Sequence, residues 1–260
     1  MTRQFQGKTV LVTGGAVRIG RTIALAFAAA GARVIVHYRK SKTEADELLD
    51  KLAAYGTGHA LVQGDLTIAE ERKRIMPQAC KAAGGHLDVL VNNASAYQRA
   101  WLCDVTEEQM RRDFEINFFA PFLLMQDFAH HCNSGNIVNL LDQRVNTVDP
   151  AAGTYALAKK ALRDATETAA VEWAPDVRVN AVAPGIVLAP PGVAREKMLP
   201  LLENVPMQTN SSSEEIANAC LFLAASETIT GQTIYVDGGL HLVQPPAQEK
   251  KPKQNKESVL

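Results

Sequence analysis

Tyr155 and Lys159 stand four residues apart in a stretch that reads as helix, so their side chains share one face. An ammonium beside a phenol favours the phenolate and lowers the phenol's pKa, which suits Tyr155 to proton donation near neutral pH. Such a pair alone is common on exposed helices, and its company gives it weight. Asn92-Asn93-Ala94 closes a strand-like run, Asn117 lies within a long helical stretch, and Pro184-Gly185 follows another run. Each falls at a strand end or on a helix face turned toward one crevice.

A second kind of chemistry is written near the start. Thr13-Gly14-Gly15-Ala16-Val17-Arg18-Ile19-Gly20 follows a strand-like run and opens directly into a helix. Glycines let the backbone approach a phosphate closely, and a helix N-terminus aims free N–H groups at the anion. About twenty residues beyond such glycines, a site selective for NAD carries an acid for the ribose 2′-hydroxyl. This chain instead reads His37-Tyr38-Arg39-Lys40-Ser41, with no acid before Glu44. Arg39, Lys40 and Ser41 suit a 2′-phosphate, and Arg18 can reach the same pocket or the pyrophosphate. The cofactor expected is therefore NADPH/NADP+.

These residues need a frame, and the chain alternates two textures. β-Branched runs at Thr9–Val12, Val34–Val36, Ala60–Val62, Val89–Val91, Ile137–Leu140, Val177–Val182 and Thr233–Val236 read as strands. Between them Arg18–Ala30, Lys42–Ala54, Ile68–Ala83, Thr106–His131, Thr154–Trp173 and Ser213–Ala225 read as helices. Runs without polar alternation belong to sheets covered on both faces, and the helices supply parallel crossovers. The expectation is an α/β fold: one Rossmann-like, doubly wound, seven-stranded parallel sheet over residues 1–243, its ligand at the carboxyl ends of the strands. From Gln244 to Leu260 the text is QPPAQEKKPKQNKESVL, expected to be a disordered basic tail.

Composition removes several alternatives. Twenty-seven Lys and Arg against 28 Asp and Glu leave a formal charge of −1, which gives no electrostatic case for nucleic acid or an acidic membrane surface. The apolar run Ile23–Ala32 is too short to cross a bilayer. Met1–Gly15 lacks the pattern of a signal peptide, so a cytoplasmic protein is expected. Cys80, Cys103, Cys132 and Cys220 are scattered without zinc-ligand spacing, and neither a metal nor a disulfide framework is expected.

Taken together, the Thr13–Gly20 turn, Asn92-Asn93-Ala94, Asn117, Tyr155/Lys159 and Pro184-Gly185 resemble a short-chain dehydrogenase/reductase over roughly Lys8 to Leu242. The resemblance implies a proton relay of Asn117, Tyr155 and Lys159, with Lys159 also holding the nicotinamide ribose. It also implies a homotetramer built through the two long helices. Two positions depart from the common pattern. Arg18 stands where the family usually has glycine, and Asp142 stands where its catalytic serine falls, thirteen residues before the tyrosine. A serine hydroxyl donates to a substrate carbonyl, whereas an ionised Asp only accepts. Asp142 therefore suits a substrate that presents N–H groups or a ring nitrogen awaiting protonation.

Both departures resemble the pteridine reductases, or equally the dihydromonapterin/dihydrofolate reductase branch. By that likeness Asn93, Ala94 and Ser95 meet the cofactor, Ser95 also meets the pterin, and Tyr97 stacks on the pterin ring. His37 to Ser41 form the 2′-phosphate loop, Gly64-Asp65-Leu66 the adenine-side turn, and Arg18 approaches both phosphates and pterin. Gly14, Ile19, Gly20, Pro184 and Gly185 complete the cofactor set, and Arg18, Ser95, Tyr97, Asp142 and Tyr155 the substrate set. A mobile loop over Pro190–Pro206 covers substrate in that family; here it holds no aromatic residue, which leaves the particular pterin open. Two other readings stand beside the pterin reductase at this point: a reductase of the same fold acting on a different carbonyl or imine, and a non-catalytic nucleotide-binding module.

Overall fold

The computed structural model describes residues 4–188 and 199–243. The tail from Gln244, and the covering loop up to residue 198, lie outside the described residues. Among the described residues there are seven strands: β1 (Thr9–Val12), β2 (Arg33–Tyr38), β3 (Ala60–Gln63), β4 (Val89–Asn92), β5 (Gly135–Leu140), β6 (Val177–Pro184) and β7 (Thr233–Val236). The helices are α1 (Arg18–Ala29), α2 (Lys42–Leu52), α3 (Ala69–Ala83), α4 (Glu107–Phe114), α5 (Ala120–Cys132), α6 (Gly153–Glu172), the single turn α7 (Leu199–Leu202) and α8 (Ser213–Ala225).

All strand pairs are parallel, in the order β3-β2-β1-β4-β5-β6-β7. Successive side chains of a strand point to opposite faces, so each strand feeds two cores. Val10 and Val12 of β1 pack with Ile23 and Phe27 of α1, Leu48 of α2 and Ile216 of α8. Leu11, between them, joins Ile75 of α3, Leu124 and Phe128 of α5 and Leu162 of α6. Helices on both faces explain why these strands show no polar alternation. The expected Rossmann-like fold is the one observed.

The largest difference from the sequence reading is in the long helix expected over Thr106–His131. It is three pieces: α4, a π-helical turn over Glu115–Phe119, and α5. Apolar spacing barely changes across a π turn, so periodicity does not reveal it, yet such turns concentrate at functional sites. This one carries Asn117, fully buried. The helix starts also differ instructively. α8 begins with a capping box, Ser212 Oγ accepting from the Glu215 N–H at 3.0 Å while Glu215 answers the Ser212 N–H at 2.9 Å. α1 begins at Val17 with no side-chain cap and no acidic residue in its first turn. Its first N–H groups are left for something else.

Candidate active site

The strand order reverses between β1 and β4, and a crevice opens outside their carboxyl ends. Side chains pin the two ends together. Thr13 Oγ1 accepts from the Asn93 and Ala94 N–H groups at 2.9 and 3.0 Å, and Asn93 Nδ2 donates to the Thr13 and Gly14 carbonyls at 2.8 and 3.1 Å. His37, at the end of β2, ties three strands: its Nδ1 accepts from the Gly14 N–H at 3.1 Å, and its Nε2 donates to the Gly64 carbonyl at 3.0 Å. Burial pushes the His37 imidazole down to about 4, so it is neutral and can accept at Nδ1. His37, expected in the 2′-phosphate loop, lines the crevice there and also braces the glycine turn from beneath.

The turn itself demands its glycines. Gly14 has φ +59°, and a Cβ on Gly20 would lie 2.3 Å from the Gly14 carbonyl oxygen. Arg18 also adopts a left-handed backbone, φ +53°, which explains why glycine is the usual residue at that place. Above the turn lies a cleft of about 370 Å³, lined by Gly14, Arg18 to Gly20, His37 to Ser41, Asp65, Leu66 and Asn93 to Ser95. Of the expected adenine-side turn, Asp65 and Leu66 line the cleft and Gly64 does not. Two observations fit it to a dinucleotide phosphate. The uncapped N-terminus of α1 opens on it, and no carboxylate stands among His37 to Ser41, where Arg39 and Lys40 are exposed. Arg39 meets Asp65 at 3.4 Å, a loose exposed pair that a phosphate can displace.

A second cavity of about 210 Å³ continues from the first and shares Arg18, Ile19, Asn93 and Ser95 with it. It is closed by Asp142, Tyr155, Lys159, Pro184 and Gly185, whereas Asn117, expected in the relay with Tyr155 and Lys159, is fully buried and lines neither cavity. Tyr155 Oη donates to Asp142 Oδ2 at 2.9 Å. Ser95 Oγ donates to Asn117 Oδ1 at 2.6 Å, while Asn117 Nδ2 donates to the carbonyls of Ala96 (2.9 Å) and Asp113 (3.0 Å). Asn117 thus joins the π turn to the loop after β4. Tyr97 meets Tyr155 edge-on with ring centroids 4.8 Å apart and remains 46% exposed. Tyr97 lines neither cavity.

One expectation is corrected. Lys159 does not lower Tyr155; its Nζ donates instead to the Leu140 carbonyl at 2.6 Å. Burial, followed by the Asp142 charge and hydrogen bond, lifts the Tyr155 phenol well above its ordinary value. Burial brings the Lys159 ammonium down to about 8, against the opposing pull of Asp142. The phenol therefore keeps its proton throughout the neutral range and is a proton donor, held by a carboxylate acceptor. Helical spacing alone could not show this, because the competing partner comes from the end of β5.

Arg144 was not singled out in the sequence. Its Nη1 lies 3.2 and 3.1 Å from the two oxygens of Asp142, its Nε donates to Asp149 at 2.8 Å, and its guanidinium sits 5.4 Å from the Tyr97 ring centroid. An arginine two residues after an aspartate has no distinctive signature; only the tight turn over Gln143–Val145 folds it back. Among the described residues no cluster of three or more metal-ligating side chains occurs, and no helix is long and apolar enough to cross a membrane.

Fold and cleft define a Rossmann-type nucleotide-binding protein with a tyrosine–lysine pair at its switch point. Comparison with known proteins narrows this. Residues 15–241 match the family described as enoyl-(acyl carrier protein) reductase. Glucose 1-dehydrogenase of Gluconobacter oxydans is 35% identical over 258 residues, covering 92% of this chain and 94% of its own. A 3-oxoacyl-(acyl-carrier-protein) reductase of Staphylococcus epidermidis is 32% identical over 243 residues, covering 90% and 99%. The crystal structure of the FolM alternative dihydrofolate reductase of Brucella canis, complexed with NADP, superposes with a TM-score of 0.85 at 32% identity, covering 94% of this chain and 98% of that one. The chain belongs to the short-chain dehydrogenase/reductase family and is an NAD(P)-dependent oxidoreductase.

Proposed function

We propose that the protein is an NADPH-dependent reductase of a pterin or dihydrofolate, working as a homotetramer. The observation that carries this reading is the 2.9 Å bond from the Tyr155 hydroxyl to Asp142. Where the family's serine would offer a hydroxyl to a substrate carbonyl, this site offers a carboxylate. The likeness to an alternative dihydrofolate reductase solved with NADP supports it.

The bound cofactor supplies hydride to the carbon of a C=N bond. The chain supplies the rest. Arg39, Lys40 and Ser41 bind the 2′-phosphate, the open N-terminus of α1 and Arg18 bind the pyrophosphate, and Lys159 holds the nicotinamide ribose. Tyr97 offers an aromatic face to a flat heterocycle, worth about 1 kcal/mol beyond burial. Tyr155 gives its proton to the ring nitrogen as the adjacent carbon is reduced, and recovers it from solvent along the site Asp142 helps to order. Ser95 and Asn117 hold the loop after β4 against this centre.

A second reading rests on the sequence relatives, since glucose 1-dehydrogenase is as similar as the dihydrofolate reductase: a reductase of the same fold acting on a carbonyl. NADPH oxidation measured with 7,8-dihydrobiopterin, dihydrofolate, a 3-oxoacyl thioester and a simple ketone separates the two. We expect turnover of a dihydropterin or dihydrofolate, reduced about 100-fold or more in Asp142→Ser. Turnover of the ketone or thioester with both heterocycles inert would select the second reading.

A further inference from the structure

Asp142 is more heavily engaged than a relay partner needs to be. Its Oδ1 accepts from the Arg144 backbone N–H at 2.9 Å and from Arg144 Nη1 at 3.2 Å. Its Oδ2 accepts from Tyr155 Oη at 2.9 Å and again from Nη1 at 3.1 Å. An ionised carboxylate has about four lone-pair sites, and these contacts use them all. A proton on either oxygen would have to expel one donor. Three of the four contacts come from a single residue, Arg144.

The same guanidinium is itself anchored. Nε is held by Asp149 at 2.8 Å, and Tyr97 lies across the guanidinium with its centroid 5.4 Å away. Arg144 therefore touches Asp142 of the acid–base pair, Asp149 of the loop beyond it and the Tyr97 ring together. Arginine suits this role because its planar fork reaches two carboxylates at once, which a lysine point charge does not.

We propose that Arg144 is a positioning residue of the reaction: it holds Asp142 as a full acceptor turned toward Tyr155, and so sets the acid–base form in which the Tyr155–Asp142 pair works. This rests on the relay reading of that pair. It adds that a substrate N–H reaches Asp142 only by displacing Tyr155 or Arg144, so the carboxylate acts on substrate chiefly through the phenol. The other titratable groups that interact with Asp142 are Lys159 from α6 and Tyr97 from the loop after β4; Asp149 from the same loop binds Arg144, and Arg99 acts on Tyr97. His241, in the C-terminal turn, reaches the far end of the loop through its carbonyl, which accepts from Asn146 at 3.4 Å.

Two measurements test the assignment on the full-length chain. The first uses no nucleotide. Infrared spectroscopy at neutral pH follows the carboxylate stretching bands, assigned to Asp142 by their loss in Asp142→Asn. In Arg144→Met we expect those bands to shift from their wild-type positions, because the carboxylate loses its charge-assisted donor, with Arg144→Lys between them. The second is the pH profile of kcat/KM with NADPH and 7,8-dihydrobiopterin. Its acid limb should move in Arg144→Met, with Arg144→Lys restoring part of the wild-type profile.

Infrared bands of Arg144→Met and wild type that coincide, or activity lost by one constant factor at every pH, would reduce Arg144 to a brace of its loop and overturn the proposal. Should Arg144→Met fail to fold, Arg144→Lys carries the same test, its bands shifted or the proposal rejected. An infrared shift without turnover of any dihydropterin or of dihydrofolate would instead reject the pterin reading and leave the role of Arg144 standing.

Discussion

Arg18 pulls in two directions. Its left-handed backbone, φ +53°, costs an ordinary residue about 1 kcal/mol that glycine would not incur. Arg18 lines both the cleft above the glycine turn and the adjoining cavity with Asp142 and Tyr155. A residue retained against its backbone preference at such a place is retained for its side chain. Arg18→Gly should therefore stabilise the ligand-free protein by about 1 kcal/mol in urea unfolding. In the same variant NADPH affinity, read by quenching of intrinsic fluorescence, should fall roughly tenfold, equivalent to the loss of one charge-assisted hydrogen bond. A variant that is both more stable and undiminished in affinity would remove Arg18 from the phosphate site.

At the scale of elements, β1, β2 and β3 end together because one imidazole joins them. His37 serves the glycine turn only while neutral, since a protonated Nδ1 cannot accept from the Gly14 N–H. Its folded value of about 4 lies below the 6.5 of a free imidazole. Between these values the unfolded chain binds more protons, so stability is lost as pH falls from 6.5 through 4 and the loss is complete below that. The span corresponds to about 3 kcal/mol. Urea unfolding across this window should show that slope, and His37→Gln, which lacks the titrating ring, should flatten it. Equal slopes in the two proteins would mean that the brace does not titrate.

Over the whole molecule, ligand binding and stability are one quantity. A nucleotide at a hundred times its Kd stabilises the folded chain by about 2.7 kcal/mol, provided the unfolded chain does not bind it. On the proposed reading, NADPH should raise the melting temperature well above the effect of equal NADH, because Arg39, Lys40 and Ser41 line the cleft and suit a 2′-phosphate. Arg39→Asp should abolish most of that difference by placing a carboxylate there, a change of roughly ten- to a hundredfold in NADPH affinity. Thermal melts with each nucleotide read this directly. Equal shifts with NADH and NADPH in the wild type would remove the selectivity argument.

The architecture was legible because a parallel sheet covered on both faces leaves unbroken apolar runs, and the helices between them are long enough to show their period. Thr9–Val12, Val89–Val91 and Thr233–Val236 could be read almost to the residue. The glycine turn was legible for a local reason: Gly14 and Gly20 answer to backbone sterics that no other residue satisfies. Asp142 was visible as a departure from the family's serine, and so was its chemistry as an acceptor. What sequence could not determine was the company each group keeps. Lys159 turns from Tyr155 to the Leu140 carbonyl, Arg144 folds back onto Asp142, and Asn117 sits in a π turn hidden inside a helical pattern. Each depends on competition among partners brought together from β4, β5 and α6. Local propensity and spacing are properties of neighbours along the chain, whereas hydrogen-bond choice and burial, and with them the proton affinities of Tyr155 and Lys159, are decided only when distant segments share one desolvated site.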